Sequence, residues 1–471
     1  MDRIKERRAL QQIVGPKASS GESEEQKVKM GMINYFTLWA QSVHSLPHYL
    51  TIALFLQSGY SPKTIFLGIM LGAVLASSVL ALNGWAGSKY KLSFSRLVKI
   101  SYGKEGGKGP GILRGLIIAM LWYGLQIYLG GQILMALLGK LFPAFLSLEC
   151  PLLFGQGQLP MVLSYGLFWL LNVAFGIGGG KALNKVIGFI TPIVYLGFGL
   201  LALGVLQTIG GIGEIFAFHE EVTPFGLVLS VMIVANTILG IWAAPMVSVA
   251  DFTQKATSTA AQVKGQVSGL LFSYLFFAFT SLILLRGGAF AYGVKSYNFL
   301  EIIQRLQMGP GSIAFLLLFL LTTLVTNVTG NMVPAAYQLM ALFPKRLSYS
   351  KSVVGVAILS FLSMSWRWGD QLTIFLNGIG SLLGPITGVM LAHFYWVKHQ
   401  HLSEKDLVLE KISPFHKEAY VATLIGTLGV YVLKVLSAFS ALTQMSWLVG
   451  FGLSFLSEGL LSRRNNGKKE F

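Results

Sequence analysis

Apolar residues run through this chain in long blocks separated by short polar segments. Twelve stretches can be marked, at about 32–57, 64–86, 111–138, 160–178, 183–209, 224–250, 265–287, 312–341, 351–366, 371–398, 418–438 and 441–461. Each approaches the roughly 20 apolar residues that cross a hydrocarbon core, so each predicts a membrane-spanning helix. The ninth is short and ends at Trp366, Arg367 and Trp368. Two blocks are interrupted halfway. The first, 33–56, is broken by Gln41, Ser42, His44, Ser45 and Pro47. The sixth, 225–249, is broken at Gly240, Trp242 and Pro245. An unsatisfied backbone group in lipid costs several kcal/mol, so a break is tolerated only where the freed groups meet protein, water or a ligand.

The two breaks open two sets of five spans, one to five and six to ten. An odd number of spans per set means that the second set enters the membrane from the opposite side. Spans eleven and twelve are then additional. The expectation is an all-α membrane protein of twelve transmembrane helices, built as a LeuT-type five-plus-five inverted repeat with discontinuous helices 1 and 6. Broken helices at matching positions of two halves point to the binding site of a secondary transporter. The expected organisation is a disordered cytoplasmic tail (1–30), a first five-helix repeat (31–210) and a second, inverted one (211–400). Two additional helices (401–462) and a short cytoplasmic tail (463–471) follow.

Composition agrees with the pattern. The chain is 54% hydrophobic and 12% charged, with a mean hydropathy of +0.64. Soluble domains carry about 25% charged residues, so this is an integral membrane protein. The formal charge of +17 invites a nucleic-acid reading, but its distribution opposes one. With twelve spans and an internal N-terminus, 29 of the 36 Lys and Arg fall on the inner side. That is the positive-inside bias, and it sets both termini in the cytoplasm. The single cysteine, Cys150, excludes an intramolecular disulfide. Residues 1–30 lack the apolar core of a cleaved signal peptide.

Chemistry-bearing residues are sparse. Glu301 and Asp370 lie in a loop and at a span end, Asp251 ends the sixth span, and no Asp or Glu is expected at mid-membrane. There is no metal-ligand cluster, no catalytic Ser–His–acid arrangement and no phosphate-binding loop, since the glycines of 103–109 follow no strand. An enzyme is therefore not expected, nor a cofactor. Glycine clusters at 130–131, 178–180, 210–213 and 378–388 suit close helix packing, with mobile gates as the alternative. At the midplane stand aromatic and amide groups instead. Trp122 and Gln126 share one face of the third span, Trp242 sits in the sixth-span break, and Asn327 and Asn331 share a face of the eighth beside Thr322, Thr323 and Thr326. Two indoles can clamp a planar ring, and amides suit alternating N–H and C=O groups. The alternative is interfacial tryptophan and interhelical amide glue. Trp39, Trp366 and Trp396 fit the interfacial belt better. His44 and His48, one turn apart, could relay protons or pack against freed backbone.

The run Asn83, Gly84, Gly87, Lys89, Arg114, Trp122, Gly124, Gln126, Gly130 and Gly131 resembles the signature of the nucleobase–cation symporter family 1, the permeases for nucleobases, hydantoins and allantoin. The stretches 39–49, 240–252 and 327–337 and the set Gly384, Pro385, Gly388 are similar as well. The resemblance covers roughly 33–460, and His44, Pro47 and the run Asp251, Phe252, Thr253 bring it nearest to the bacterial allantoin-permease branch. It implies that Trp122 and Trp242 sandwich the substrate ring and that Gln126 and Asn331 hydrogen-bond it. Ser45 falls where relatives carry Gln or Asn, and the Ile241 carbonyl would face the ligand. For a coupling cation it implies carbonyls of Gln41, His44 and Thr322 and a hydroxyl of Thr326. Val325 stands where relatives have Ser, so a sodium ion would find at most one hydroxyl and weak or absent sodium dependence is expected. His393 replaces an Asp near the inner face and is given no transport role.

The resulting expectation is a monomeric permease of the bacterial inner membrane that imports a planar nitrogen heterocycle, coupled to Na+ or H+. Spans one, two, six and seven would rock against spans three, four, eight and nine, with the tenth as part of the gate. Two rivals remain at this stage. One is an amino-acid or amine permease of the same fold, although the first-span break has no glycine to receive a carboxylate. The other is a non-transporting receptor or channel, which lacks the charged rings or filter repeat of a pore.

Overall fold

The computed structural model describes residues 29–150, 158–178, 180–217, 225–305, 310–343, 346–363, 368–369, 371–435 and 440–467. The expected N-terminal tail up to residue 28 and the residues Trp366, Arg367 and Asp370 lie outside them. The described residues are almost wholly helical. The first apolar block forms two helices, α1 (Met32–Val43) and α2 (Leu46–Gln57). His44 and Ser45 leave the helical region, at φ −82°, ψ 71° and φ −131°, ψ 155°. Pro47 explains the stop, because its ring would clash with the Val43 carbonyl in a continuous helix. That carbonyl instead accepts from the Ser45 amide at 2.9 Å.

The remaining helices are α3 (Pro62–Tyr90), α4 (Phe94–Tyr102), α5 (Lys108–Leu141), α6 (Leu159–Gly178), α7 (Gly180–Ile209), α8 (Leu227–Ser248) and α9 (Thr259–Tyr292). They continue with α10 (Gly311–Met340), α11 (Tyr349–Leu362), α12 (Leu372–Val397), α13 (Lys417–Val435) and α14 (Ser446–Gly467). Among the described residues, eight are long and apolar enough to cross a membrane: α3, α5, α6, α7 (over Phe189–Ile209), α8, α9, α10 and α12. The split first block and the 14-residue α11 are too short singly, and α13 and α14 fall outside that set.

The expected interruption of the sixth block is corrected. α8 runs unbroken through Gly240 and Trp242, with Pro245 inside it. Proline removes only one amide, the one that would reach the Ile241 carbonyl four residues back. Side chains from other helices serve the neighbouring carbonyls. Arg114 Nε donates to Ala244 O at 2.6 Å, and Asn83 Nδ2 donates to Met246 O and Val247 O at 2.7 and 3.1 Å. The Ile241 carbonyl itself is left without its helical donor while the helix continues through the proline.

The helices sort into two packed groups. α3 lies along α8 and α9, and α1 lies along α9. A second group joins α5, α6, α10 and α11. α12 packs on α8, α13 and α14. Small residues set two of these contacts. A Cβ at Gly269 would stand 2.8 Å from the Phe36 backbone of α1, and one at Gly388 would stand 2.5 Å from the Phe451 carbonyl of α14. The 103–109 loop spends its amides on the protein: Lys104 N donates to Ser413 O, and Glu105 N and Gly106 N donate to Pro414 O. Asp251 Oδ1 accepts from Phe94 N at 2.9 Å and so holds the start of α4 against α8. Glu458 of α14 is a buried carboxylate, 1% exposed.

Candidate substrate cavity

Between the two groups, beside the α1–α2 break, lies a cavity that gives about 80 Å3 to the centres of water molecules. All six residues named for a substrate line it: Ser45, Trp122, Gln126, Ile241, Trp242 and Asn331. They come from four elements. The break supplies Ser45, α5 supplies Trp122 and Gln126, α8 supplies Ile241 and Trp242, and a π-helical segment of α10 (Val328–Met332) supplies Asn331. Such segments widen the helix and often mark functional positions. Pro245 matters here, because the Ile241 carbonyl lacks its usual helical donor.

One wall is held rigid by hydrogen bonds. Trp242 Nε1 donates to the Tyr274 hydroxyl. That hydroxyl lies 3.0 Å from His48 Nε2, and His48 Nδ1 lies 2.9 Å from Ser45 Oγ. One arrangement uses every donor of this chain. The tyrosine accepts from the indole and gives its proton to Nε2, so Nδ1–H donates to Ser45. The Ser45 hydroxyl proton is then free to point at a ligand. Trp39 meets Trp242 edge-on at 5.3 Å and donates through Nε1 to Gln266 Oε1 at 3.0 Å. At 4% exposed, Trp39 belongs to the cavity wall, which corrects its assignment to an interfacial belt. Its place in the sequence puts it near a span end, but the break four residues on brings α1 to the cavity.

The opposite wall carries unpaired polar atoms. Trp122 Nε1 and Gln126 Oε1 are buried and have no hydrogen-bond partner among the described residues. An orphaned buried polar atom costs about 1–3 kcal/mol, so each is suited to a polar ligand. Trp122 is braced edge-on by Phe375 at 5.1 Å. Asn331 Nδ2 donates to Asn327 Oδ1 at 3.0 Å, and Asn327 Nδ2 to Asn172 Oδ1 at 3.1 Å. This amide ladder leaves the Asn331 oxygen for the cavity.

The residues named for a cation lie to one side. Gln41 Nε2 donates to Thr326 Oγ1 at 3.2 Å and stands 3.5 Å from Thr322 O, joining α1 to α10. Val325 is fully buried beside them. The His44 ring turns away from the cavity, 4.6 Å from Phe198 and also against Tyr195, Phe276 and Phe277. Its Nδ1 meets the Tyr49 hydroxyl at 3.1 Å, so the partners of both first-span histidines are side chains rather than freed backbone. The freed Ala40 carbonyl is served by the hydroxyls of Tyr195 (3.0 Å) and Ser273 (2.9 Å). Sequence reasoning gave His48 no place in the cavity, because its partner Tyr274 is 226 residues away.

A bundle of membrane helices around a cavity beside a broken helix, with aromatic walls and neutral polar groups, is the architecture of a secondary transporter. The family described as permeases for cytosine/purines, uracil, thiamine and allantoin matches residues 23–450, and the chain belongs to it. It is a membrane protein of a transporting family rather than an enzyme or a receptor. The chain is 36% identical over 449 residues to the putative allantoin permease of Escherichia coli, covering 93% of this chain and 92% of that one. It is 28% identical over 446 residues to the allantoin permease of Bacillus subtilis, covering 92% and 90%. The fold is similar to that of Mhp1, a nucleobase-cation-symport-1 family transporter solved closed with bromovinylhydantoin bound (TM-score 0.74, 20% identity, 96% of each chain). It is also similar to MhsT solved with L-phenylalanine (TM-score 0.62, 14% identity, 92% of this chain and 99% of that one).

Proposed function

We propose that the protein imports a planar, uncharged nitrogen heterocycle of the allantoin and hydantoin kind, held between Trp122 and Trp242. The observation that carries this reading is the pair of orphaned atoms on one face of α5, the Trp122 N–H and the Gln126 oxygen. A ring with adjacent C=O and N–H groups satisfies both. Ser45 adds a donor, while the Asn331 oxygen and the Ile241 carbonyl add acceptors. Relatives named as allantoin permeases support this choice of ring.

In this reading the chain crosses the bacterial inner membrane twelve times, with α1 and α2 as one crossing and α13 and α14 as the last two. The crossings form two five-helix sets of opposite orientation, 31–210 and 211–400, and both termini are cytoplasmic. The protein works as a monomer. Alternating access comes from the α1–α3, α8 and α9 group rocking against the α5, α6, α10 and α11 group. The cation position formed by Gln41, His44, Thr322 and Thr326 is a poor sodium site, because Val325 offers no oxygen and the Gln41 amide nitrogen already binds the Thr326 hydroxyl. A proton is the coupling ion that suits this chain.

The test is uptake of radiolabelled allantoin by proteoliposomes, competed by unlabelled hydantoin, uracil, cytosine and purines. Saturable uptake that a heterocycle competes supports the reading. Transport of an amino acid with no heterocycle competing would overturn it.

A further inference from the structure

Away from the cavity, at the end of the bundle where α4 and the 398–416 loop lie, two ionisable side chains are buried against each other. His393 opens a π-helical turn at the end of α12 (His393–Val397), and Glu458 faces it from α14. They are 5% and 1% exposed. His393 Nδ1 lies 2.9 Å from Glu458 Oε1, which also accepts from Ser462 Oγ at 3.1 Å. His393 Nε2 and Glu458 Oε2 have no partner among the described residues. His393 also lines a cavity of about 20 Å3 with Asn83 of α3 and Ser101 of α4. That is room for one water molecule, which needs roughly 10–15 Å3.

Asn83 ties this cavity to the substrate. It is the residue whose amide holds the Met246 and Val247 carbonyls just past Pro245, on the helix that carries Ile241 and Trp242. His416 ties it to the surface. This half-buried ring stacks on His393 at 5.6 Å and 16°, with Nδ1 donating to Ser101 O at 3.0 Å.

We propose that His393 and Glu458 form a proton-binding site whose occupancy controls substrate affinity through Asn83 and α8. Without the proton, the neutral imidazole donates Nδ1–H to the carboxylate, and Nε2 is an unpaired acceptor. The pair then carries a buried charge of −1. A proton delivered by water forms an N–H bond at Nε2, water taking the place of hydronium, and the pair becomes an internal ion pair with no net charge. Nε2 is now a donor, on a ring that shares the small cavity with Asn83 and Ser101. The other ionisable groups on the surrounding elements are Lys398 just past α12, Tyr102 of α4, His416 and Tyr420. Lys398 is neutralised by Asp406 at 2.7 Å, and the Tyr102 hydroxyl is bonded to Thr423. His416 is held toward its neutral form chiefly by burial, so it adds no fixed charge beside the pair.

The proposal rests on the substrate reading above, and its test has an arm independent of it. In the first arm, purified full-length protein in phospholipid is titrated with protons alone and followed by imidazole infrared bands. One histidine band change should vanish in H393Q and should differ from wild type in E458Q, where the carboxylate is lost. A titration identical in wild type and H393Q would overturn the site. In the second arm, half-saturation for allantoin uptake is measured between about pH 5.5 and 7.5. It should change roughly tenfold in wild type and less than about twofold in either variant. A wild-type pH profile in both variants would overturn the link to transport. Wild-type protein that moves no allantoin would defeat the substrate reading alone, and the infrared arm would still decide the proton site.

Discussion

Replacing Trp122 by phenylalanine separates the two roles given to its indole. The ring braces the cavity against Phe375, while Nε1 is orphaned. In the free protein the orphaned N–H costs about 1–3 kcal/mol. Trp122→Phe removes that cost and loses some 40–60 Å2 of buried apolar ring, worth roughly 1–1.5 kcal/mol. The two nearly cancel, so unliganded stability should change by less than about 1 kcal/mol. The bound state has no such compensation. A ligand carbonyl loses its donor and stays buried, at about 1.5–3 kcal/mol in all, or roughly ten- to hundredfold in Kd. Trp122→Ala removes the ring as well, and its stability loss should reach about 3–5 kcal/mol. Labelled allantoin binding to purified protein in nanodiscs gives Kd, and thermal unfolding without ligand gives stability. Wild-type affinity in Trp122→Phe would refute the placement of the N–H. Destabilisation of Trp122→Phe as large as that of Trp122→Ala would show a purely structural indole.

Asn331→Ala removes the cavity end of the amide ladder and leaves Asn327 Oδ1 without its donor. Allantoin uptake should fall below detection while expression in the membrane persists, and normal uptake would remove Asn331 from the site. Sodium should change allantoin affinity by less than about twofold, since at most one hydroxyl, that of Thr326, is available; a tenfold gain in proteoliposomes on replacing choline by sodium would refute this. Pro245→Ala supplies the missing amide to Ile241 O. The variant should unfold at a higher temperature and bind allantoin about fivefold more weakly, the loss of about 1 kcal/mol from one ligand hydrogen bond. Tighter binding together with greater stability would show that this carbonyl does not meet the substrate.

The parts of this fold that could be read locally are those with a local cause. Pro47 and its polar neighbours break the first span because a proline ring and freed backbone act within four residues. The same reasoning misread Pro245. A proline removes one helical amide without having to unwind the helix, and the side chains that pin α8 beside it, Arg114 and Asn83, come from 130 and more than 160 residues away. Trp39 was misplaced because distance along a span stands for depth only in an unbroken helix. Glu458 went unnoticed because it sits between an apolar run and the basic Arg463 and Arg464, where an exposed carboxylate is ordinary. Only the facing His393, 65 residues earlier, makes it a buried pair. Trp122, Gln126 and Asn331 were legible because helical spacing alone puts Trp122 and Gln126 on one face, and their resemblance to a family motif supplied the rest.

On the reading proposed above, the cavity selects by the direction of its hydrogen bonds rather than by charge. In the arrangement that uses every donor, the Trp242–Tyr274–His48–Ser45 chain ends in a hydroxyl that can give a proton to the ligand. Trp122 gives a second. Gln126 Oε1, Asn331 Oδ1 and the Ile241 carbonyl all accept. These groups, with the Gln126 amide N–H as a further donor, suit a ring that alternates C=O and N–H. They oppose a carboxylate, which would face three oxygens with no cation beside it, and desolvating that charge costs several kcal/mol that the donors do not return. An ammonium would meet the acceptors well but would force the Trp122 and Ser45 protons against a positive group. A neutral heterocycle with alternating C=O and N–H groups can pair with these five atoms, which supports the reading proposed above.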